Sequence, residues 1–164
     1  RSPVAPMPTT PEGMPSAHPG GAVPHVDGAV DWSLLRERAI AMLDRAYAPY
    51  SGFPVGVAGL VDDGRVVTGC NVENAAYGVA LCAECGMVSE LVAGGGGRLL
   101  AVACVGRHGI PLMPCGRCRQ LLWEHGGPEC LLATPQGVLP MREILPQAFG
   151  PEDLDADRRR EETG

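Results

Sequence analysis

Cys82-Ala83-Glu84 and, well downstream, Pro114-Cys115-Gly116-Arg117-Cys118 place three thiols and an acid where few folds can satisfy them. Cys115 and Cys118 stand at i and i+3 at the start of a helical pattern, so both side chains face one way. Pro114 suits the opening of that helix, where a missing N–H is no loss. Cys82 also begins a helical run, reaching to about Val92. Free backbone N–H groups and the positive end of the dipole at a helix start favour thiolate, the form that binds metal. The fold must therefore bring two helix N-termini to one point. Three protein ligands leave a tetrahedral zinc ion an open fourth position, which is how a catalytic zinc is held and a structural one is not.

Glu84 shares a helix face with Met87, Val88 and Leu91, at i+3, i+4 and i+7. An acid on that apolar stripe is costly unless it has a partner or a job. Beside a metal the fitting job is to carry protons. The other cysteines, Cys70, Cys85, Cys104 and Cys130, read as small buried hydrophobes. A histidine ligand is not expected. His18 and His25 fall outside any periodic segment, His108 falls in a turn, and His125 falls at a helix end.

The remaining elements follow from periodicity and punctuation. Residues 1–28 are rich in Pro, Gly, Ala and Ser and read as a disordered leader. The domain is expected over 29–154, and a charged flexible tail over 155–164. Asp31 is a good N-cap for a helix with the apolar stripe Leu35, Ala39, Met42, Leu43 and Ala46, ended by Ala48-Pro49-Tyr50. Val55 to Val61 and Arg65 to Val72 read as a hairpin around Asp62-Asp63-Gly64. Gly94 to Gly97 ends the Cys82 helix as a connector. Leu99 to Val105, a continuous apolar run of strand length, reads as a buried inner strand. A helix from Cys115 to His125 is closed by Gly126-Gly127. Cys130 to Ala133 and Val138 to Pro140 read as short strands, and Met141 to Leu145 as a last helical turn. The order predicts an α/β fold, a mixed sheet with helices on both faces.

Composition narrows the function. A chain of 164 residues can bury a core without disulfides. Seven cysteines, an odd number, include a Cys-x-x-Cys pair; in a cytosolic chain that spacing points to metal or redox work before disulfides, and a cytoplasmic location is expected. A net charge of −6 argues against a nucleic-acid partner, which would call for a basic surface. No apolar run approaches the ~20 residues that span a bilayer, and neither a signal peptide nor membrane contact is expected.

Further segments carry a family resemblance. They are Ala46-Tyr47-Ala48-Pro49-Tyr50-Ser51-Gly52-Phe53-Pro54-Val55-Gly56, Gly69-Cys70-Asn71-Val72-Glu73-Asn74-Ala75-Ala76-Tyr77 and Phe149-Gly150-Pro151-Glu152-Asp153-Leu154, with the two cysteine motifs and Arg119-Gln120 between them. In this order they resemble the cytidine deaminases of the small, homotetrameric, three-cysteine zinc type, from about Ala46 to Leu154. Zinc deaminases as a group use such a ligand set with a glutamate that is not a ligand. The resemblance implies a three-layer α-β-α sandwich with a mixed sheet and one Zn²⁺ per subunit on Cys82, Cys115 and Cys118, with Glu84 as the proton carrier. The implied reaction is hydrolytic deamination of cytidine and 2′-deoxycytidine to uridine and 2′-deoxyuridine plus ammonia, in pyrimidine salvage. By the same resemblance Phe53 packs on the pyrimidine, Asn71 and Glu73 hold the ribose hydroxyls, and the Ala83 N–H meets the base carbonyl. Tyr77 and Phe149 complete a neighbouring subunit's pocket, so the expected partner besides the nucleoside is the homotetramer itself.

Two other readings share parts of this pattern. Aminonucleoside-antibiotic deaminases of the blasticidin S type share Cys-Ala-Glu and Pro-Cys-Gly-Arg-Cys-Arg-Gln. The Phe53 to Gly56 segment and the Phe149 to Leu154 ending favour the cytidine enzymes. A structural zinc module would need a fourth ligand, for which Cys85 is the local choice, awkwardly placed after Glu84. Many relatives carry arginine at the position of Cys85, where it offsets thiolate charge. Here Arg117 or Arg119 is expected to do so, Arg119 being the better placed, with Cys85 packed and not ligating.

Overall fold

The computed structural model describes residues 30–155. The leader expected over 1–28 and all but the first residue of the tail expected over 155–164 lie outside the described residues. Helix α1 (Trp32–Ala41) opens where expected, with Leu34 N–H donating to Asp31 Oδ1 at 3.0 Å. It buries Leu35 and Ala39. The apolar stripe does not continue as one helix to Ala46. After Ala41 a 3₁₀ turn, Leu43–Arg45, takes over. The reason is tertiary: Tyr47 must be extended to pair with the segment beyond the hairpin, its N–H donating to Asn71 O at 3.0 Å.

The hairpin is β1 (Gly56–Val61) and β2 (Val66–Cys70), both a little shorter than expected. Gly64 turns it at φ 88°, a conformation that favours glycine, and its N–H donates to Val61 O at 2.9 Å. Helix α2 (Ala83–Ala93) follows, then β3 (Leu99–Val105), α3 (Gly116–Gly126), β4 (Leu131–Thr134), β5 (Gly137–Pro140) and α4 (Met141–Ile144). Strand order in the sheet is β2-β1-β3-β4-β5. β3 and β4 pair in parallel, with α3 as the crossover a parallel connection needs, and the other neighbours pair antiparallel.

Strand alternation sorts the core into two layers. Val57, Val61, Val102 and Cys104 face α2, α3 and α4, packing with Met87, Leu91, Leu122 and Met141. Ala58, Leu60, Ala101, Ala103 and Val105 face α1. The result is the expected three-layer α-β-α sandwich on a mixed sheet. The layer between sheet and α2 is unusually thin at Gly69. A Cβ there would stand 2.2 Å from Ala83 O and 2.5 Å from Met87 N. The first turn of α2 rests directly on the β2 backbone.

Candidate active site

Everything chemical gathers at the end of the sheet where β1 begins and β2 and β3 end. Gly56 is opposite Cys70 on one side and Val105 on the other, so Phe53, Asn71 and Cys104 all approach that end. Val72 and Leu81 exchange backbone hydrogen bonds of 2.9 Å, clamping the Asn71–Glu73 segment to the residue before Cys82. Beyond β3, Leu112 N–H donates to Cys104 O at 2.9 Å, holding the run that leads through Pro114 to Cys115. Cys82 and Cys115 are the N-cap residues of α2 and α3. Two helix starts do converge on one point.

The sulfurs of Cys82, Cys115 and Cys118 all lie within 4.8 Å of one another, and Cys82 Sγ is 3.8 Å from Cys115 Sγ. A tetrahedral zinc with Zn–S bonds of about 2.3 Å requires S···S separations of about 3.8 Å. The three residues thus fit Zn²⁺, and their chemistry does too. Burial, followed by the Glu84 charge, pushes the Cys118 thiol well up, and burial pushes Cys82 up. Cys115, though desolvation opposes it, is held below the ordinary thiol value by the backbone N–H and thiol of Cys118 and the thiol of Cys82. Sulfurs crowded in this way beside a carboxylate give up their protons when a cation takes their place. Cys85 is not in the cluster. Arg117 Nη2 donates to Cys85 Sγ at 3.1 Å, and the neighbouring Cys85, followed by Cys82, strengthens the guanidinium's hold on its proton.

That contact revises one expectation. Arg119, read as the arginine nearest the ligands, instead donates from Nε to Pro114 O at 2.9 Å. The direction of helical side chains explains this, since they lean towards the N-terminus over the preceding turn. From Arg119 that path leads to the Pro114 carbonyl at the foot of α3. Arg117 emerges between the ligands on the side facing α2, where the small side chain of Cys85 leaves it room.

Glu84 is buried, at 3% exposure, on the α2 face that also buries Met87, Val88 and Leu91. Its carboxylate lies against Cys118, and Cys104 Sγ donates to Oε1 at 3.7 Å. The Cys104 contact was invisible in the sequence, which marked that cysteine only as a core residue. Strand alternation could have placed Cys104 on the α2 face, but not opposite Glu84.

The sugar-binding candidates stand together and are stitched to the loop before β1. Asn71 Oδ1 accepts from Val55 N–H at 2.8 Å, and Asn71 Nδ2 donates to Phe53 O at 3.0 Å. Glu73 Oε2 accepts from Tyr50 and Ser51 N–H at 2.9 and 3.2 Å, while Oε1 accepts from the Ser51 hydroxyl. The Ser51 hydroxyl foremost, then the Tyr50 and Ser51 amides, hold Glu73 below the usual carboxylate range against slight desolvation. Ser51 Oγ also accepts from Phe53 N–H at 3.0 Å. Phe53 is half exposed, Ala83 is buried at the start of α2, and Tyr77 and Phe149 lie open at 80% and 58% exposure. Gln120 Nε2 donates to Phe149 O at 2.8 Å, anchoring the C-terminal segment to α3. A separate groove of about 440 Å³ between α2 and α3, lined by Cys85, Val88, Arg117, Gln120, Leu121 and Glu124, includes neither Glu84 nor Phe53 in its wall.

Known proteins resemble this chain in sequence and in fold. Residues 31–134 match the family model described as the cytidine and deoxycytidylate deaminase zinc-binding region. This chain belongs to that family. A cytidine deaminase of Mycobacterium tuberculosis (strain ATCC 25618 / H37Rv) is 59% identical over 130 residues, covering 79% of this chain and 98% of the relative. The crystal structure of a cytidine deaminase from Mycobacterium leprae superposes with a TM-score of 0.72 at 63% identity, covering 73% of this chain and all of that one. A second, from Burkholderia pseudomallei, superposes at TM-score 0.66 and 41% identity, again over 73% of this chain and all of the other. As a deaminase of this family the chain is a hydrolytic enzyme with a zinc-binding region, on a cytidine-deaminase-like fold.

Proposed function

We propose that this deaminase converts cytidine and 2′-deoxycytidine to the corresponding uridines with release of ammonia. The observation that carries the reading is the buried Glu84 carboxylate set against a three-thiol cluster at two helix N-termini. Cys82, Cys115 and Cys118 would hold the ion. When bound, zinc supplies the Lewis acidity that makes a water nucleophilic near neutral pH. Glu84 takes one proton from that water and hands it to ring N3 as oxygen joins C4. It then carries the second proton to the exocyclic amine, the C4–N4 bond breaks, and ammonia departs. A carboxylate that shuttles both ways must sit beside the ion without ligating it, and the contact of the Glu84 carboxylate with Cys118 supports that role.

The substrate is oriented by this chain's own loops. Phe53 offers an aromatic face to the pyrimidine. Asn71 and Glu73, already fixed by the 50–55 loop, present donors and acceptors to the ribose hydroxyls, and the Ala83 N–H meets the base carbonyl. The free nucleoside is favoured over CMP because no basic cluster lies in the Asn71–Glu73 segment or in the loop that holds it. Tyr77, Val79, Leu81 and Phe149 are all more exposed than a lone soluble subunit would favour, which supports a homotetramer with pockets shared between subunits. All seven cysteines are free, which suits the cytoplasm, and among the described residues no helix is long and apolar enough to cross a membrane. A role in pyrimidine salvage follows from the reaction.

The test is a deamination panel of cytidine, 2′-deoxycytidine, CMP and blasticidin S with zinc measured in parallel. Both nucleosides should turn over, and CMP poorly. Glu84→Gln should keep zinc and fold while losing at least about 10³-fold in kcat. Brisk turnover by Glu84→Gln would sink the mechanism, and a preference for blasticidin S would shift the assignment to the antibiotic deaminases.

A further inference from the structure

Cys104 is a buried nucleophilic side chain that the mechanism above leaves unused. It lies near the end of β3, 2% exposed, opposite Val57 and on the sheet face that meets α2 and α3. Its Sγ is 3.7 Å from Glu84 Oε1, a weak S–H···O hydrogen bond at the longer distance that sulfur's size sets. Its backbone carbonyl accepts from Leu112 N–H, so the same residue also braces the loop that delivers Cys115. A carboxylate is acceptor-only when ionised, and a thiol this deep in apolar surroundings stays neutral and can donate. Cys118 also lies against Glu84, but once it holds the ion it has no proton to give.

We propose that Cys104 is a positioning residue for Glu84, its thiol holding Oε1 so that the other carboxylate oxygen is left to exchange protons with water and base. Glu84 has three side-chain torsions and a duty in two successive proton transfers, so one tethered oxygen removes most of the wrong orientations. The closeness of the pair follows from Gly69, which lets the first turn of α2 sink onto the sheet. The proposal rests on the deaminase reading of Glu84.

The experiment compares Cys104→Ser, Cys104→Ala and Cys104→Val as zinc-loaded enzyme, with zinc content and Tm measured for each. Loss of the donor in the Ala and Val variants should lower kcat about fivefold while KM stays within about twofold. Cys104→Ser, which keeps a donor, should stay within about twofold of the parent kcat. A purely structural cysteine would instead make kcat follow Tm, with the near-isosteric Val variant the least affected. Wild-type kcat in both the Ala and Val variants, or a Ser variant as slow as they are, overturns the proposal. Infrared spectroscopy provides a readout independent of turnover. The S–H stretching band assigned to Cys104 by its absence in Cys104→Ser should lie below that of a free thiol and shift upward in Glu84→Ala. A band that ignores Glu84→Ala overturns the contact. If the parent enzyme leaves cytidine untouched, the functional reading fails by itself, and the infrared shift still decides whether the thiol holds the carboxylate.

Discussion

Gly69→Ala should cripple this enzyme although residue 69 touches no substrate. A Cβ at that position would fall 2.2 Å from Ala83 O and 2.5 Å from Met87 N, both backbone atoms of α2. Carbon–oxygen contact relaxes only at about 3.3 Å, so the first turn of α2 would have to retreat by about 1 Å. That turn carries Cys82 as N-cap, the Ala83 N–H and Glu84, while Cys115 and Cys118 stay behind on α3. A displacement of this size between reacting groups costs on the order of 10²-fold in kcat. Overpacking of this kind costs about 1–3 kcal/mol, or a Tm lower by about 4–10 °C.

The control lies across the same contact. A Cβ on Gly86 of α2 would meet Gly69 Cα at 3.6 Å, an ordinary van der Waals distance. Gly86→Ala should therefore keep its activity and gain about 0.8–1 kcal/mol from helix propensity. The assay is steady-state cytidine deamination at saturating zinc, with thermal melts of both variants. Wild-type kcat and Tm in Gly69→Ala would refute the reasoning, as would equal damage from Gly86→Ala.

Three further outcomes follow from the site. Cys115→Ser should lose zinc and lower the Tm, since bound metal contributes directly to folding free energy; equilibrium dialysis with a melting curve checks it, and full zinc retention would contradict the ligand set. Ser51→Ala removes the hydroxyl joining Glu73 Oε1 to Phe53 N–H, so KM for cytidine should rise about fivefold with kcat nearly unchanged, as expected for ground-state binding groups. Cys85→Ala should keep its zinc and most of its activity, because Cys85 faces Arg117 and lies outside the sulfur cluster; metal loss there would make it a fourth ligand.

Local chemistry made much of this legible in advance. The α2 and α3 starts, the Asp31 cap and the whole of β3 are set by side chains within a few residues of each boundary, and each falls within a residue of its expected place. Where the outcome depended on another part of the chain, the reading slipped. The α1 stripe stopped short because Tyr47 is claimed by Asn71, a contact across the fold that periodicity cannot show. The 3₁₀ turn Tyr77–Val79 has no periodic mark in the sequence, whereas the turn expected at His108 is present as Arg107–Gly109, with His108 at φ 60°.

The site divides along the same line. Spacing alone brought Cys115 and Cys118 together, and helix-face arithmetic put Glu84 among core residues, because both are properties of one helix. Which arginine reaches the cysteine beside Glu84 depends on the space between two helices. Cys85 contributes that space by being small, and Arg117 takes it. The Cys104–Glu84 pair depends on three elements at once: the facing of β3, the depth to which α2 settles at Gly69, and the reach of a glutamate. A sequence names the chemical parts of such a centre. Their second partners appear only once the layers are stacked, and for Glu84 that partner is a cysteine the chain had disguised as core.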